Sequence, residues 1–176
     1  MKKTITVFGS SIPKQDEPEY ETAFQLGTEL AKRGFNVYTG GYQGIMDAVS
    51  KGAFENGAEA IGVTVDLWGA VPSKYLTKEI KCETLFERIT KLVETGEGYV
   101  ILQGGTGTLL ELSIVWELMN KNLLITKPAA CYSKMWQNIV EVMENQITKE
   151  SRKTGLIKPC NTVEEIVEYL DKQLKI

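Results

Sequence analysis

Leu102-Gln103-Gly104-Gly105-Thr106-Gly107-Thr108-Leu109-Leu110-Glu111 follows the apolar run Tyr99-Val100-Ile101 and leads into Leu112, Val115, Trp116 and Met119 at helical spacing. A β-branched run that stops at glycines and resumes with a period of three to four residues reads as a buried strand, a tight turn and a helix. The same unit recurs along the chain. Short apolar runs at residues 4–8, 35–38, 60–65, 99–102 and 129–132 predict five strands. Between them, Ala23, Leu26, Gly27, Leu30 and Ala31 share one helical face, and so do Leu85, Ile89, Leu92 and Val93. Lys32-Arg33-Gly34 stops the first helix, and residues 135–147 and 163–174 form two more, the last with Ile166, Val167 and Leu170 inward. Strand and helix alternate, which calls for parallel strands joined by right-handed crossovers. The expected fold is therefore α/β: one doubly wound Rossmann-like domain over residues 1–176, its sheet mainly parallel and covered by helices on both faces.

A chain of 176 residues with 43% hydrophobic composition can fill one core. Five strands wound in the order 3-2-1-4-5 place the ends of strands one and four on either side of the topological switch point, where ligands bind. The loop after strand one, Gly9-Ser10-Ser11, then meets the loop of residues 104–108.

Composition excludes several classes of function. A formal net charge of −3 supplies no global basic field, so nucleic acid is not an expected partner. The apolar run after Met1-Lys2-Lys3 is too short for a signal peptide and no window reaches membrane-span length, so the expected location is cytoplasmic, with no membrane partner. Cys82, Cys131 and Cys160 are scattered without C-x-x-C spacing, which argues against a disulfide framework and against a metal site. The sequence contains no histidine, so any general acid or base is a carboxylate, a lysine, a tyrosine, a thiol or the substrate itself.

Gly104, Gly105 and Gly107 let the backbone approach a ligand closely, while Thr106 and Thr108 add hydroxyl donors at a helix start, where free N–H groups and the helix dipole favour an anion. The loop matches neither the G-x-G-x-x-G fingerprint nor a Walker A sequence. Its plainer reading is a turn in which Thr108 caps the helix and Glu111 completes a capping box. A second cluster, Gly40, Gly41 and Gly44 with Met46, also joins a strand to a helix; ligand contact and simple chain reversal both fit it. Periodicity sets Arg88 at the edge of an inward-facing helix stripe, which reads as a solvated charge.

Val7-Phe8-Gly9-Ser10-Ser11, Leu26-Gly27, Tyr38-Thr39-Gly40-Gly41, Gly44-Ile45-Met46, Glu87-Arg88 and Gly104-Gly105-Thr106-Gly107-Thr108 with Glu111, taken in this order over about residues 4–132, resemble the Lonely Guy family. The resemblance implies a cytosolic Rossmann-like homodimer or larger homo-oligomer. It also implies hydrolysis of a nucleoside 5′-monophosphate, either AMP or a cytokinin riboside monophosphate, to free base and ribose 5-phosphate without metal or other cofactor. Arg88 and Glu111 would be the catalytic pair. Gly9, Ser10, Gly40, Gly41, Gly44, Met46, Gly104, Gly105, Thr106, Gly107 and Thr108 would hold the phosphate and nucleotide. Three positions depart from the pattern: Gln103 replaces proline, Asp47 replaces glycine and Ile89 replaces lysine, and the last two are expected to alter the pocket. A non-enzymatic nucleotide or molybdenum-cofactor carrier is the alternative. Members are often labelled lysine decarboxylases, but a pyridoxal-phosphate enzyme needs a Schiff-base lysine beside the phosphate cup, and none occurs between Lys91 and Lys121.

Overall fold

A computed structural model of the chain describes residues 2–67 and 69–174; Met1, at the head of the N-terminal run, lies outside the described residues. The elements run β1 (Thr4–Phe8), α1 (Pro18–Lys32), β2 (Asn36–Thr39), α2 (Ile45–Glu55), β3 (Ala60–Val65), β4 (Lys78–Cys82), α3 (Leu85–Thr95), β5 (Gly98–Ile101), α4 (Thr106–Asn120), β6 (Ala129–Tyr132), α5 (Lys134–Lys149), β7 (Lys158–Cys160) and α6 (Val163–Leu174). All seven strands are parallel in one sheet of order β4-β3-β2-β1-β5-β6-β7. The five expected strands form its centre in the expected order, and two more flank them.

The correction at the two edges has a physical cause. Lys78-Glu79-Ile80-Lys81-Cys82 carries three charges, and Lys158-Pro159-Cys160 is three residues long with a proline, so neither presents the apolar run of a strand buried on both faces. At the centre, β1 divides the core: Ile5 and Val7 pack with α1, α2 and α6, whereas Phe8 packs with α3, α4 and α5. Alternation along one strand thus feeds two helical layers.

Two glycines set the distance between α1 and α2. A Cβ on Gly27 would stand 2.2 Å from the Val49 carbonyl oxygen, and one on Gly52 would stand 2.2 Å from that of Phe24. The helices therefore touch through backbone, which fixes where α2 begins relative to β1. The Lys32-Arg33-Gly34 stop is borne out, with Arg33 as C-cap and Gly34 at a φ of +84°. On the other flank, Phe8 is level with Ile101, so the loops after β1 and β5 emerge side by side at the switch point.

Candidate functional site

The carboxyl ends of β1, β2 and β5 surround a cleft of about 430 Å³. After β1, a Cβ on Gly9 would lie 2.4 Å from the Ile45 side chain, so glycine is what lets this loop rest on the start of α2. Ser10 N donates to Gln103 O at 2.9 Å, and Ile45 N donates to Ser10 O at 2.8 Å, which ties all three loops together. A second hollow of about 470 Å³ lies beyond Gln103, near Tyr132 and Gln137, and is lined by none of the expected site residues.

Ten of the thirteen expected site residues line the cleft: Gly9, Ser10, Gly40, Met46, Arg88, Gly105, Thr106, Gly107, Thr108 and Glu111. The other three, Gly41, Gly44 and Gly104, stand behind it. Gly41 and Gly44 take φ values of +80° and +68° and shape the turn, while a Cβ on Gly104 would strike the Thr108 hydroxyl at 2.0 Å. Gly105 and Gly107 differ from these in having open space where a Cβ would project.

The capping-box reading of Thr108 is corrected by where α4 starts. Gly105 is the N-cap, no side chain caps the helix, and the bond from Leu109 N to Gly105 O at 3.0 Å opens the ladder. The amides of Thr106, Gly107 and Thr108 thus form the positive end of a 15-residue helix at the cleft wall. An anion there would meet several N–H groups at once.

Arg88 is the second correction. It is only 7% exposed and not a solvated charge. Its Nε donates to Val63 O at 2.8 Å, its Nη2 donates to Gly40 O at 3.2 Å, and its guanidinium carbon lies 5.7 Å from the centre of the Tyr42 ring. A carbonyl within β3, one from the turn after β2 and an aromatic face replace water around a charge that would otherwise be too costly to bury. A Cβ on Gly40 would stand 1.8 Å from Nη2, so glycine at this position makes room for the guanidinium.

Glu111 faces Arg88, with Oε1 at 3.8 Å from Nη1 and a side chain 13% exposed. The distance allows attraction but is too long for a hydrogen bond. Desolvation therefore outweighs the ion pair: burial pushes the Glu111 carboxyl up to about 7, against the opposing pull of Arg88. A carboxyl with that affinity is divided between acid and base near neutral pH, the condition in which a catalytic carboxyl can serve.

Two of the departures from the family pattern do not themselves line the cleft. Ile89 is 4% exposed and packs in the core beneath α3, away from the cleft. Asp47 is 9% exposed and accepts the hydroxyls of Tyr20 and Ser73, each at 2.6 Å. Burial, reinforced by the Asp47 carboxylate, holds the Tyr20 phenol above its usual range, so it remains a donor. Val7, Phe8, Ser11, Tyr42 and Ala70 also line the cleft, and none of them was among the expected site residues. Tyr42 sits between glycines and its hydroxyl bonds both Val65 N and Val65 O, a signal legible only once β3 lies beside it. Ala70 carries no signal of its own.

The remaining groups offer little chemistry. Cys82, Cys131 and Cys160 are buried thiols, and burial pushes Cys131 up to about 12 and Cys160 up to about 11, far from a nucleophilic thiolate. Among the described residues, no group of three or more potential metal ligands comes together, and no helix is long and apolar enough to cross a membrane.

The chain is 36% identical over 122 residues to cytokinin riboside 5′-monophosphate phosphoribohydrolase LOG7 of Arabidopsis thaliana, covering 62% of this chain and 52% of that protein. It is 32% identical over 120 residues to LOG1 of the same plant, covering 62% and 53%. The matched region is thus about half the length of either relative. The fold is shared with the molybdenum cofactor carrier protein of Chlamydomonas reinhardtii, at a TM-score of 0.79 and 20% identity over 100% of both chains. The sequence matches the SLOG cluster4 family over residues 2–167, the relatives bear out the Lonely Guy resemblance of the chain as a whole, and the chain belongs to that family.

Proposed function

We propose that the chain is a nucleoside 5′-monophosphate phosphoribohydrolase acting on AMP or a cytokinin riboside monophosphate. The observation that carries this reading is the buried Glu111–Arg88 pair, 3.8 Å apart, in the same cleft as the amide end of α4. The 5′-phosphate sits on the amides of residues 105–108, the strongest anion-binding feature of the cleft. Water adds to C1′ of the ribose as the C1′–N bond breaks; the base leaves with one proton, and ribose 5-phosphate keeps the hydroxyl. Positive charge grows on the ribose along this path, and the ionised Glu111 stabilises it and orients the water. Arg88 keeps Nη1 turned towards the carboxylate and the substrate, since its other bonded donors hold Gly40 and Val63. Gly41, Gly44 and Gly104 support the site by shaping its loops.

We also propose a homodimer or larger homo-oligomer. Its support is the half-exposed Leu109, Leu110, Met135 and Met143 along α4 and α5. Light scattering that returns the mass of one 176-residue chain at micromolar concentration would refute it.

The decisive experiment incubates the protein with a panel of nucleoside 5′-monophosphates and reads released base by chromatography. Free base and ribose 5-phosphate in equal amounts support the hydrolase. Binding without release favours the alternative, a carrier of a nucleotide or of the molybdenum cofactor.

A further inference from the structure

Asp47 takes no part in lining the cleft, yet it is among the few buried charged residues of the chain. From the first turn of α2 it receives the Tyr20 hydroxyl on Oδ2 and the Ser73 hydroxyl on Oδ1, each at 2.6 Å. Tyr20 anchors it to α1. Ser73 belongs to the connection between β3 and β4.

Polar bonds fasten residues 71–73 of that connection. Ser73 N donates to Gly41 O at 2.9 Å, and Gln43 Nε2 donates to Val71 O at 3.0 Å. Tyr75 N donates back to the Ser73 hydroxyl at 3.2 Å. Val71 is 70% exposed and adds little apolar burial of its own. Residues 69–73 form a strap laid over the glycine turn of β2, and Ala70, next to the fastened part, lines the cleft.

The sheet supplies the scale. The amides of residues 106–108 follow β5 and the strap lies over the turn after β2, and in the order β2-β1-β5 these are two strand spacings apart, about 10 Å. A mononucleotide with its phosphate on α4 therefore brings its base, the part farthest from the phosphate, to the strap.

Resting on the nucleotide-hydrolase reading above, we propose that Asp47 is a positioning residue for base recognition: through Ser73 it fixes the 69–73 strap as the wall met by the nucleobase. Phosphate and ribose binding are independent of it.

The test compares AMP with ribose 5-phosphate, which lacks the base. Calorimetry is run on wild type, Ser73→Ala, Asp47→Asn and Tyr20→Phe. Loss of a buried bond to a carboxylate should weaken AMP about tenfold in Ser73→Ala and Asp47→Asn, with ribose 5-phosphate unchanged within about twofold. Hydrogen exchange of residues 69–73 in the unliganded protein should accelerate in both variants and less in Tyr20→Phe. Equal weakening of both ligands, no weakening of either, or unchanged exchange overturns the proposal. If Asp47→Asn fails to fold, Ser73→Ala decides alone. A wild type that shows this binding pattern but releases no base refutes hydrolysis and keeps the strap. Base release with AMP affinity untouched in the variants refutes the strap and keeps hydrolysis. A wild type that binds neither ligand overturns both.

Discussion

Replacing Glu111 with glutamine separates what a buried carboxylate does for the reaction from what it does to the fold. Burial raises the carboxyl from 4.5 to about 7. Below pH 4.5 the group is neutral in folded and unfolded chains alike. Between 4.5 and about 7 the unfolded chain releases its proton while the folded one keeps it, so stability falls as pH rises through this window and then stays level. At about 1.4 kcal/mol per pH unit, the loss above pH 7 is about 3 kcal/mol, with the attraction of Arg88 already counted as an opposing cause. Glutamine keeps the shape and cannot ionise. Urea unfolding should therefore find Glu111→Gln and wild type alike near about pH 4.5 and the variant more stable at about pH 8, by up to about 3 kcal/mol. In the same variant, base release should fall about 100- to 1,000-fold while nucleotide affinity changes little, because the lost charge acts on the transition state. A stability difference that does not grow with pH refutes the burial argument. Near wild-type release of adenine from AMP removes Glu111 from the reaction.

Three other outcomes follow from the same geometry. In wild type, kcat/KM should rise with pH through a midpoint near 7, where burial places the Glu111 carboxyl, because the ionised form does the work; a profile flat from about pH 5 to 9 contradicts this. Arg88→Ala should lose nucleotide affinity and turnover together, and should melt lower because the Val63 and Gly40 carbonyls lose their donor, each at about 1–3 kcal/mol; an unchanged melting temperature would show that water replaces the guanidinium. Gly27→Ala, far from the cleft, should destabilise by about 1–3 kcal/mol because its Cβ would lie 2.2 Å from the Val49 carbonyl, and denaturant unfolding reads this directly.

The central strands were legible because each is buried on both faces and so reads as an uninterrupted apolar run. The edges were not: Lys78, Glu79 and Lys81 are exposed on a strand whose partner lies on one side only. Gly104, Gly105 and Gly107 were legible as close-approach positions and the Gly40 cluster as a turn open to either reading, but sequence could not say which glycines face the ligand and which brace a turn, since that depends on the neighbouring loop. Arg88 misled the periodicity because its acceptors, Val63 and Gly40, come from β3 and from the turn after β2. Glu111 was legible as a residue of interest, whereas its raised proton affinity arises from packing that no local pattern encodes. Asp47 stood out as a departure from a family pattern, and its partner Ser73, 26 residues away, was invisible until the β3–β4 connection folded back over α2.

Both outer strands also govern how copies of this chain can meet. Lys78 and Lys81 lie exposed along β4, and exposed Lys158 with Pro159 occupies the three residues of β7, so neither rim offers the uncharged, uninterrupted row of amides that a neighbouring sheet would need to continue the ladder. Growth by strand addition, which has no natural stopping point, is blocked at both ends. Copies that associate through a two-fold contact away from these edges would use up their own surface, and the assembly would close at a fixed number of chains.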